Sequence, residues 1–368
     1  SKNEALMRYC ITHEKEIGVL LNNISSKELN NIIMARNVED KRNSEIYTEY
    51  DGKVDEKLVY KIFDDAKYSA SKIMTYNKCH FKYLLEQGLG IYRWDEDIFS
   101  SINQGNIFHE ILANYYREFI HNKTIFDEQK IEYLADAAFK KYGLVLDDIL
   151  TDRAKKIILD KAKKFISIDV EFNEKIDFRP FFIEQWFYEN DLIENAQIYG
   201  RIDRVDLEYS ENKPTGRYIV YDYKMSNAGS LSDILKGDAI QVIIYYSAVE
   251  KLLRSKGLNP ECVALVYYDI NKTLERGKPK ISGIIVDETR HIIDIDRKTN
   301  TVLQNNLDVI FTHINKNFIE NSLQGINQGV FTLPKKCRYI NNYGYKCDFQ
   351  DICRYNPIVL MNKREEII

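Results

Sequence analysis

Asp222-Tyr223-Lys224 sets a carboxylate and an ammonium two residues apart, downstream of the acidic run Gly200-Arg201-Ile202-Asp203-Arg204-Val205-Asp206. Residues i and i+2 of a strand share a face, so Asp222 and Lys224 are expected to open onto one pocket while Tyr223 turns away. A hard divalent cation takes oxygen ligands. A neighbouring lysine can orient a water or neutralise charge growing on a phosphorus centre. The pair therefore has the composition that cation-dependent phosphodiester hydrolysis needs. Gln241 and Tyr245, four apart, would project from one face of a helix and could contact a phosphate backbone or order such a centre.

The elements that must position these residues can be read locally. Residues 216–225 are crowded with β-branched and aromatic side chains after Lys213-Pro214-Thr215-Gly216, which reads as a turn followed by a strand. A preceding strand, 198–207, offers Asp203 as the second carboxylate, with Asp206 on the opposite face unless a bend exchanges them. A third strand, 181–187, embeds Glu184 among apolar residues as an outer ligand or water holder. His109 follows Gly105, read as the start of a helix, with Ile107, Ile111, Leu112 and Tyr115 as its apolar stripe. A helix over 238–253 would lie behind the Asp-x-Lys strand.

Each of these residues also has a plainer explanation. An Asp-x-Lys pair is ordinary as an ion pair on an exposed edge strand, a lone histidine on an apolar face is often a satisfied core residue, and Gln241 with Tyr245 suits the polar margin of a packed helix. Ile219, Val220 and Tyr221 favour the functional reading, because a charge in a buried strand is expensive and tends to mark a site.

Four of the six cysteines fall into a near-and-far pattern, Cys79 followed by Cys337-x9-Cys347-x5-Cys353. Four thiolates suit either zinc or a cubane cluster. Zinc sites usually carry tight Cys-x2-Cys knuckles, and this chain has none, which favours iron and sulfur. Joining positions so far apart closes a long loop and restrains the unfolded chain. Cys10 and Cys262 read as buried thiols.

The ordered series His109, Glu184, Gly200-Arg201-Ile202-Asp203-Arg204, Asp222-Tyr223-Lys224 and Gln241-x3-Tyr245 resembles the PD-(D/E)xK nucleases of the RecB family. Within that family, the segment from Tyr68 to Leu84 around Cys79 and the run Cys347-Asp348-Phe349-Gln350-Asp351-Ile352-Cys353 resemble the C-terminal nuclease domains of AddB-type subunits of bacterial ATP-dependent helicase/nucleases. His80 stands where proline is usual, and Arg338 to Lys346 lengthen the first downstream gap. The resemblance runs over residues 66–356. It implies an α/β restriction-endonuclease-like core, and a [4Fe-4S] cluster on Cys79, Cys337, Cys347 and Cys353. It further implies a magnesium or manganese ion on His109, Asp203, Asp222 and the Tyr223 carbonyl, and a catalytic set of Asp203, Asp222, Lys224, Glu184, Gln241 and Tyr245. The implied activity is an exonuclease on single-stranded DNA in break processing and recombinational repair, with the AddA-like helicase/nuclease chain as partner.

Composition sets bounds on this reading. A net charge of −4 over 368 residues excludes a generally DNA-coating surface, so only a local basic approach is expected, with Arg201, Arg204, Lys224 and Lys335-Lys336 as contributors. The lysine runs at 153–156 and 161–164 read as solvated helix faces. No apolar stretch reaches membrane-spanning length and no leader is evident, so a soluble, cytoplasmic protein without membrane contact is expected. A start at Ser1-Lys2-Asn3 is expected of a fragment of a longer chain. No phosphate-binding Gly-x4-Gly-Lys-Ser/Thr loop occurs, so unwinding is assigned to a partner.

The expected organisation is a polar arm over 1–66, with helices at 5–21 and after Ser26 and a turn at Tyr50-Asp51-Gly52. A nuclease domain follows over 67–356, then a tail over 357–368. The core is expected to hold a mixed sheet of about five strands flanked by helices, with helical insertions over 110–175. Competing readings are a CRISPR-associated four-cysteine exonuclease, a catalytically silent single-strand-binding module, and a zinc-stabilised scaffold.

Overall fold

The computed structural model describes residues 25–43, 52–63, 67–92, 101–144, 149–193, 196–226, 228–286, 301–302, 304–334, 337–339 and 347–353. Its centre is a seven-stranded mixed sheet. The strands are β1 (Lys67–Tyr68), β2 (Phe178–Ile193), β3 (Ala196–Ser210), β4 (Lys213–Lys224), β5 (Glu261–Asp269), β6 (Ile281–Val286) and β7 (Thr301–Val302). β2, β3 and β4 form an antiparallel meander. β5 then runs parallel to β4, which requires a crossover. β6 is antiparallel to β5, and β7 parallel to β6.

The helices follow from the apolar stripes between the strands. They are α1 (Ser26–Asn43), α2 (Glu56–Ile62), α3 (Ala70–Lys78), α4 (His80–Tyr83), α5 (Ser101–Arg117), α6 (Glu128–Lys141), α7 (Ile149–Asn173), α8 (Leu231–Leu235), α9 (Gln241–Ser255), α10 (Ile270–Arg276), α11 (Gln304–Ile314), α12 (Asn321–Asn327) and α13 (Gln350–Cys353). Helices α5 to α7, the last two within the insertion expected over 110–175, bury Ile107, Ile111, Phe139 and Phe165 with Ile219, Tyr221, Val266 and Tyr268 on one face of the sheet. On the other face, Ile73, Ile243, Val249, Leu323 and Ile326 pack with Leu207, Tyr218, Val220 and Leu265. Each such side chain contributes about 1.5–3 kcal/mol when fully buried, so two apolar layers clamp the strands that carry the chemistry.

Three local expectations need correction. The turn before β4 lies at Glu211 and Asn212, both with positive φ (51° and 62°), as a two-residue hairpin turn demands; Lys213, Pro214 and Thr215 already belong to the strand. Gly105 does not start its helix, since α5 begins at Ser101 and carries Gly105 within it, close to Met225. The helix expected over 238–253 spans Gln241–Ser255, because Asp238 and Ala239 close the end of α8 by donating to the Asp233 carbonyl.

A helix does follow Ser26. Residues 52–63 pack onto the body, with Val59 buried in the same core as Leu323 and Ile326. The helix expected at 5–21, Tyr50 and Asp51 of the expected turn, and the tail over 357–368 lie outside the described residues.

Candidate active site

β4 leaves β3 after the Arg204–Tyr221 pair, and β1 joins the same edge of β3 at Gln197 and Ile198. Between these contacts the sheet forks. Asp203 sits at the fork, where its Oδ2 accepts the Tyr223 N–H at 2.8 Å, in place of the ladder partner that diverging strands cannot offer. Helix α5 lies across the opening and delivers His109. Its Nε2 is 3.1 Å from the Tyr223 carbonyl oxygen and its Nδ1 is 3.6 Å from Asp203 Oδ2.

A register shift between Pro180 and Phe182 resets β2 so that Glu184 lies opposite Asp203, flanked by the Ile183–Arg204 and Gln185–Ile202 pairs. Glu184 takes a φ of +52°, a left-handed conformation that is costly for a residue with a Cβ. The ligand atoms of His109, Glu184 and Asp203 all lie within 4.8 Å of one another.

From β4, Asp222 and Lys224 face the same cleft, with Nζ and Oδ2 2.6 Å apart. Gln241 at the start of α9 and Tyr245 one turn later complete its wall, and Tyr245 meets the ring of Phe187 edge-on at 5.8 Å. All eight residues nominated from the sequence, His109, Glu184, Asp203, Asp222, Tyr223, Lys224, Gln241 and Tyr245, therefore line one cleft. The arrangement within it differs in one respect. Glu184, expected in an outer role, joins His109 and Asp203 in the tight ligand group, while Asp222 is held by the Lys224 ammonium.

Burial dominates the electrostatics. It pushes the Asp222 carboxyl up to about 6, against the attraction of Lys224. It pushes Glu184 up to about 7, with Asp203 adding like-charge repulsion. For Asp203, burial acts upward, but the charge and hydrogen bonds of His109, Lys224 and the Tyr223 N–H outweigh it and hold the group below its ordinary value. A cation would offset the burial that disfavours the charged forms of Asp222 and Glu184.

Behind the fork, on the α5–α7 face, lies a buried ionic network that the sequence reading did not identify. Arg204 donates to both oxygens of Asp206 (2.7 and 2.5 Å), to Asp169 Oδ2 (2.7 Å) and to the Tyr223 hydroxyl (3.1 Å), while Tyr116 also donates to Asp169 Oδ2 at 2.5 Å. Arg204 and Asp206 are fully buried. Arg204 therefore cannot supply the basic approach expected of it. The signal was present in Arg204-x-Asp206, one ideal strand face, but its partners Asp169 and Tyr116 come from distant helices.

Cys79, Cys337, Cys347 and Cys353 line one small pocket together with Phe81, Leu333, Pro334 and Phe349. Cys79 caps α4, with its sulfur 3.4 Å from the Lys82 N–H. Burial pushes the Cys79 thiol up to about 11, against backbone N–H groups and with Cys337 and Cys347 adding to the rise. A thiolate there needs a positive partner. Cys262 is buried in β5, away from these four, and Cys10 and Lys335-Lys336 lie outside the described residues. No described helix is long and apolar enough to cross a membrane.

A family model described as the PD-(D/E)XK nuclease superfamily matches residues 67–354. Several curated proteins, each named as the B subunit of an ATP-dependent helicase/deoxyribonuclease, are similar to this chain. One from Clostridioides difficile (strain 630) is 23% identical over 390 residues, covering 87% of this chain and 33% of that protein. One from Clostridium botulinum (strain Hall) is 23% identical over 330 residues, covering 82% and 28%. One from Alkaliphilus oremlandii (strain OhILAs) is 28% identical over 211 residues, covering 50% and 18%. This chain spans a third or less of the length of each.

Proposed function

We propose that this chain, which belongs to the PD-(D/E)XK nuclease superfamily, is the divalent-cation-dependent deoxyribonuclease domain of a helicase/nuclease B-type subunit. The observation that carries the reading is the fork itself. Three ligand-bearing side chains, His109, Glu184 and Asp203, converge within 4.8 Å beside a buried Asp222–Lys224 pair. Oxygen donors with one imidazole suit magnesium or manganese.

In this reading His109, Asp203, Asp222 and the Tyr223 carbonyl hold the cation, with Glu184 either joining them or ordering a water. When bound, the cation supplies Lewis-acid polarisation of a phosphodiester oxygen. Lys224 remains charged in the cleft, because the attraction of Asp222 and Asp203 more than offsets its burial, and so it can orient the attacking water and offset charge on the phosphate. Gln241 hydrogen-bonds the DNA backbone, and Tyr245 braces the wall.

Cys79, Cys337, Cys347 and Cys353 would hold a [4Fe-4S] cluster, whose part is to tie the ends of a domain spanning residues 67–356. Of the arm expected over 1–66, residues 52–63 join this domain, with Val59 in its core. Single-stranded DNA is the substrate class, an AddA-like helicase partner supplies it, and the cytoplasm is the place of action. The relatives' printed names support DNA as substrate and a helicase partner, and the four-cysteine pocket supports the cluster.

The test is cutting of end-labelled single-stranded DNA with magnesium by anaerobically purified protein, set beside Lys224→Ala. Cutting by the wild type alone is the expected result. Inert wild type that still binds DNA would overturn the enzymatic reading, and equal cutting by both would remove Lys224 from the centre.

A further inference from the structure

β2 continues beyond Glu184, past the residues that line the cleft. Two residues further along β2, Trp186 is 50% exposed, and Tyr188 after it is 60% exposed, on a strand whose other described side chains are mostly covered. One exposed ring is ordinary, but two side by side on one strand face make an apolar patch suited to a partner. The two rings are nearly parallel, 14° apart, with centroids separated by 6.5 Å. That spacing is the two-residue repeat of a strand, about 6.6 Å, and it leaves a flat base room to stack on either ring.

The pair is coupled to the candidate centre through Arg201. This residue is the cross-strand neighbour of Trp186. Its guanidinium lies 5.8 Å from the Trp186 ring and is ion-paired with Glu184. Of the other cations nearby, Lys141 is ion-paired with Glu110 of the cleft wall and Arg117 donates to Asn114, so Arg201 is the cation that the structure sets against the rings. Aromatic faces beside a guanidinium form a bipartite surface suited to a chain that alternates flat rings with anions.

We propose that Trp186 and Tyr188 are a stacking platform for unpaired nucleotides, and that Arg201 steers the phosphates that follow into the fork at Glu184. The platform rests on the nuclease reading and adds its strand specificity. A duplex hides its base faces, so the platform offers it only phosphate contacts. Single strands gain stacking at both rings.

The test compares Trp186→Ala, Tyr188→Ala and the double variant with wild type on oligothymidylate and on blunt duplex of equal length, with manganese affinity measured in parallel. Loss of one stack raises Kd and KM for the single strand roughly 5- to 100-fold, and Trp186→Phe recovers most of it. Manganese affinity and the duplex Kd move much less. In a Trp94→Phe background, where Trp186 is the sole tryptophan, oligothymidylate quenches its fluorescence without any divalent cation.

A double variant that binds and cuts single strands with wild-type Kd and KM overturns the platform and leaves the nuclease reading intact. The same result accompanied by weakened association with the helicase partner reassigns the rings to a protein contact. Wild type inert on every DNA overturns the nuclease reading instead, and fluorescence quenching still decides whether Trp186 meets bases.

Discussion

Arg204 donates a hydrogen bond to the hydroxyl of Tyr223 at 3.1 Å, on the opposite side of the sheet from the cleft that the Tyr223 backbone helps to form. One residue thus carries both sides. Its N–H and carbonyl meet Asp203 and His109, and its ring is clamped among Arg204, Phe165 and Tyr268. A carbonyl offered to a cation keeps its aim only if the strand cannot twist. Tyr223→Phe should lower stability by about 1 kcal/mol and weaken manganese affinity with the fold retained. Arg204→Met should cost about 3–5 kcal/mol, because it leaves Asp169 and Asp206 buried without their counter-charge. Thermal unfolding and manganese titration check both.

Lys224 is the cation bound to the Asp222 carboxylate. Removing a preorganised positive group from a site where charge develops typically lowers kcat by about 10²–10³. Lys224→Ala should show that loss on single-stranded DNA and should also lower the melting temperature, because it leaves the buried Asp222 without its counter-charge, and Lys224→Arg should recover part of both. Single-turnover cutting measures the effect.

The weakened acidities of Asp222 and Glu184 set a pH dependence with a definite sign. Both carboxyls titrate above the ordinary carboxylate range in the folded chain, at about 6 and about 7, so the folded state binds more protons than the unfolded one between roughly pH 4 and 7. The cation-free protein should therefore lose stability as pH rises through that window. Manganese binding should release protons, and its apparent affinity should tighten from pH 5.5 to 7.5. Calorimetry in buffers of different ionisation enthalpy reports the proton count directly.

Glu184 is held with a φ of +52°. Asparagine tolerates that conformation better and carries no charge to bury. Glu184→Asn should raise the melting temperature, by about 1 kcal/mol of stability, while cation affinity and cutting fall. A drop in stability would show that the Arg201 pair outweighs the strain.

Cys353 supplies one wall of the cysteine pocket. Cys353→Ser should remove bound iron and the visible absorbance of the purified protein, and should lower its resistance to proteolysis more than the same change at Cys262. Stoichiometric zinc in place of iron would return the pocket to the zinc reading.

Much of the centre was legible because strand alternation and motif spacing are local. Asp222 with Lys224 on one face, Tyr223 on the other, and Asp203 separated from Asp206 all follow from a repeat of two, and the structure brings all eight nominated residues into one cleft. Local rules failed where conformation depends on a neighbour. The turn at Glu211 and Asn212 was set by the twist of the hairpin it closes, and the start of α9 by the closing of α8 before it.

Only the tertiary structure decided what shares a space across long separations. Arg204 looks like a surface cation in sequence, yet Asp169 and Tyr116 arrive from two helices to bury it. Trp186 looks like another apolar residue of a buried strand, yet its side chain and that of Tyr188 are left exposed beside the buried Phe187 and Glu189. Side-chain type and period determine which residues can do chemistry. Which of them meet, and which face water, depends on how distant elements cover the sheet, and that is settled by packing rather than by local spacing.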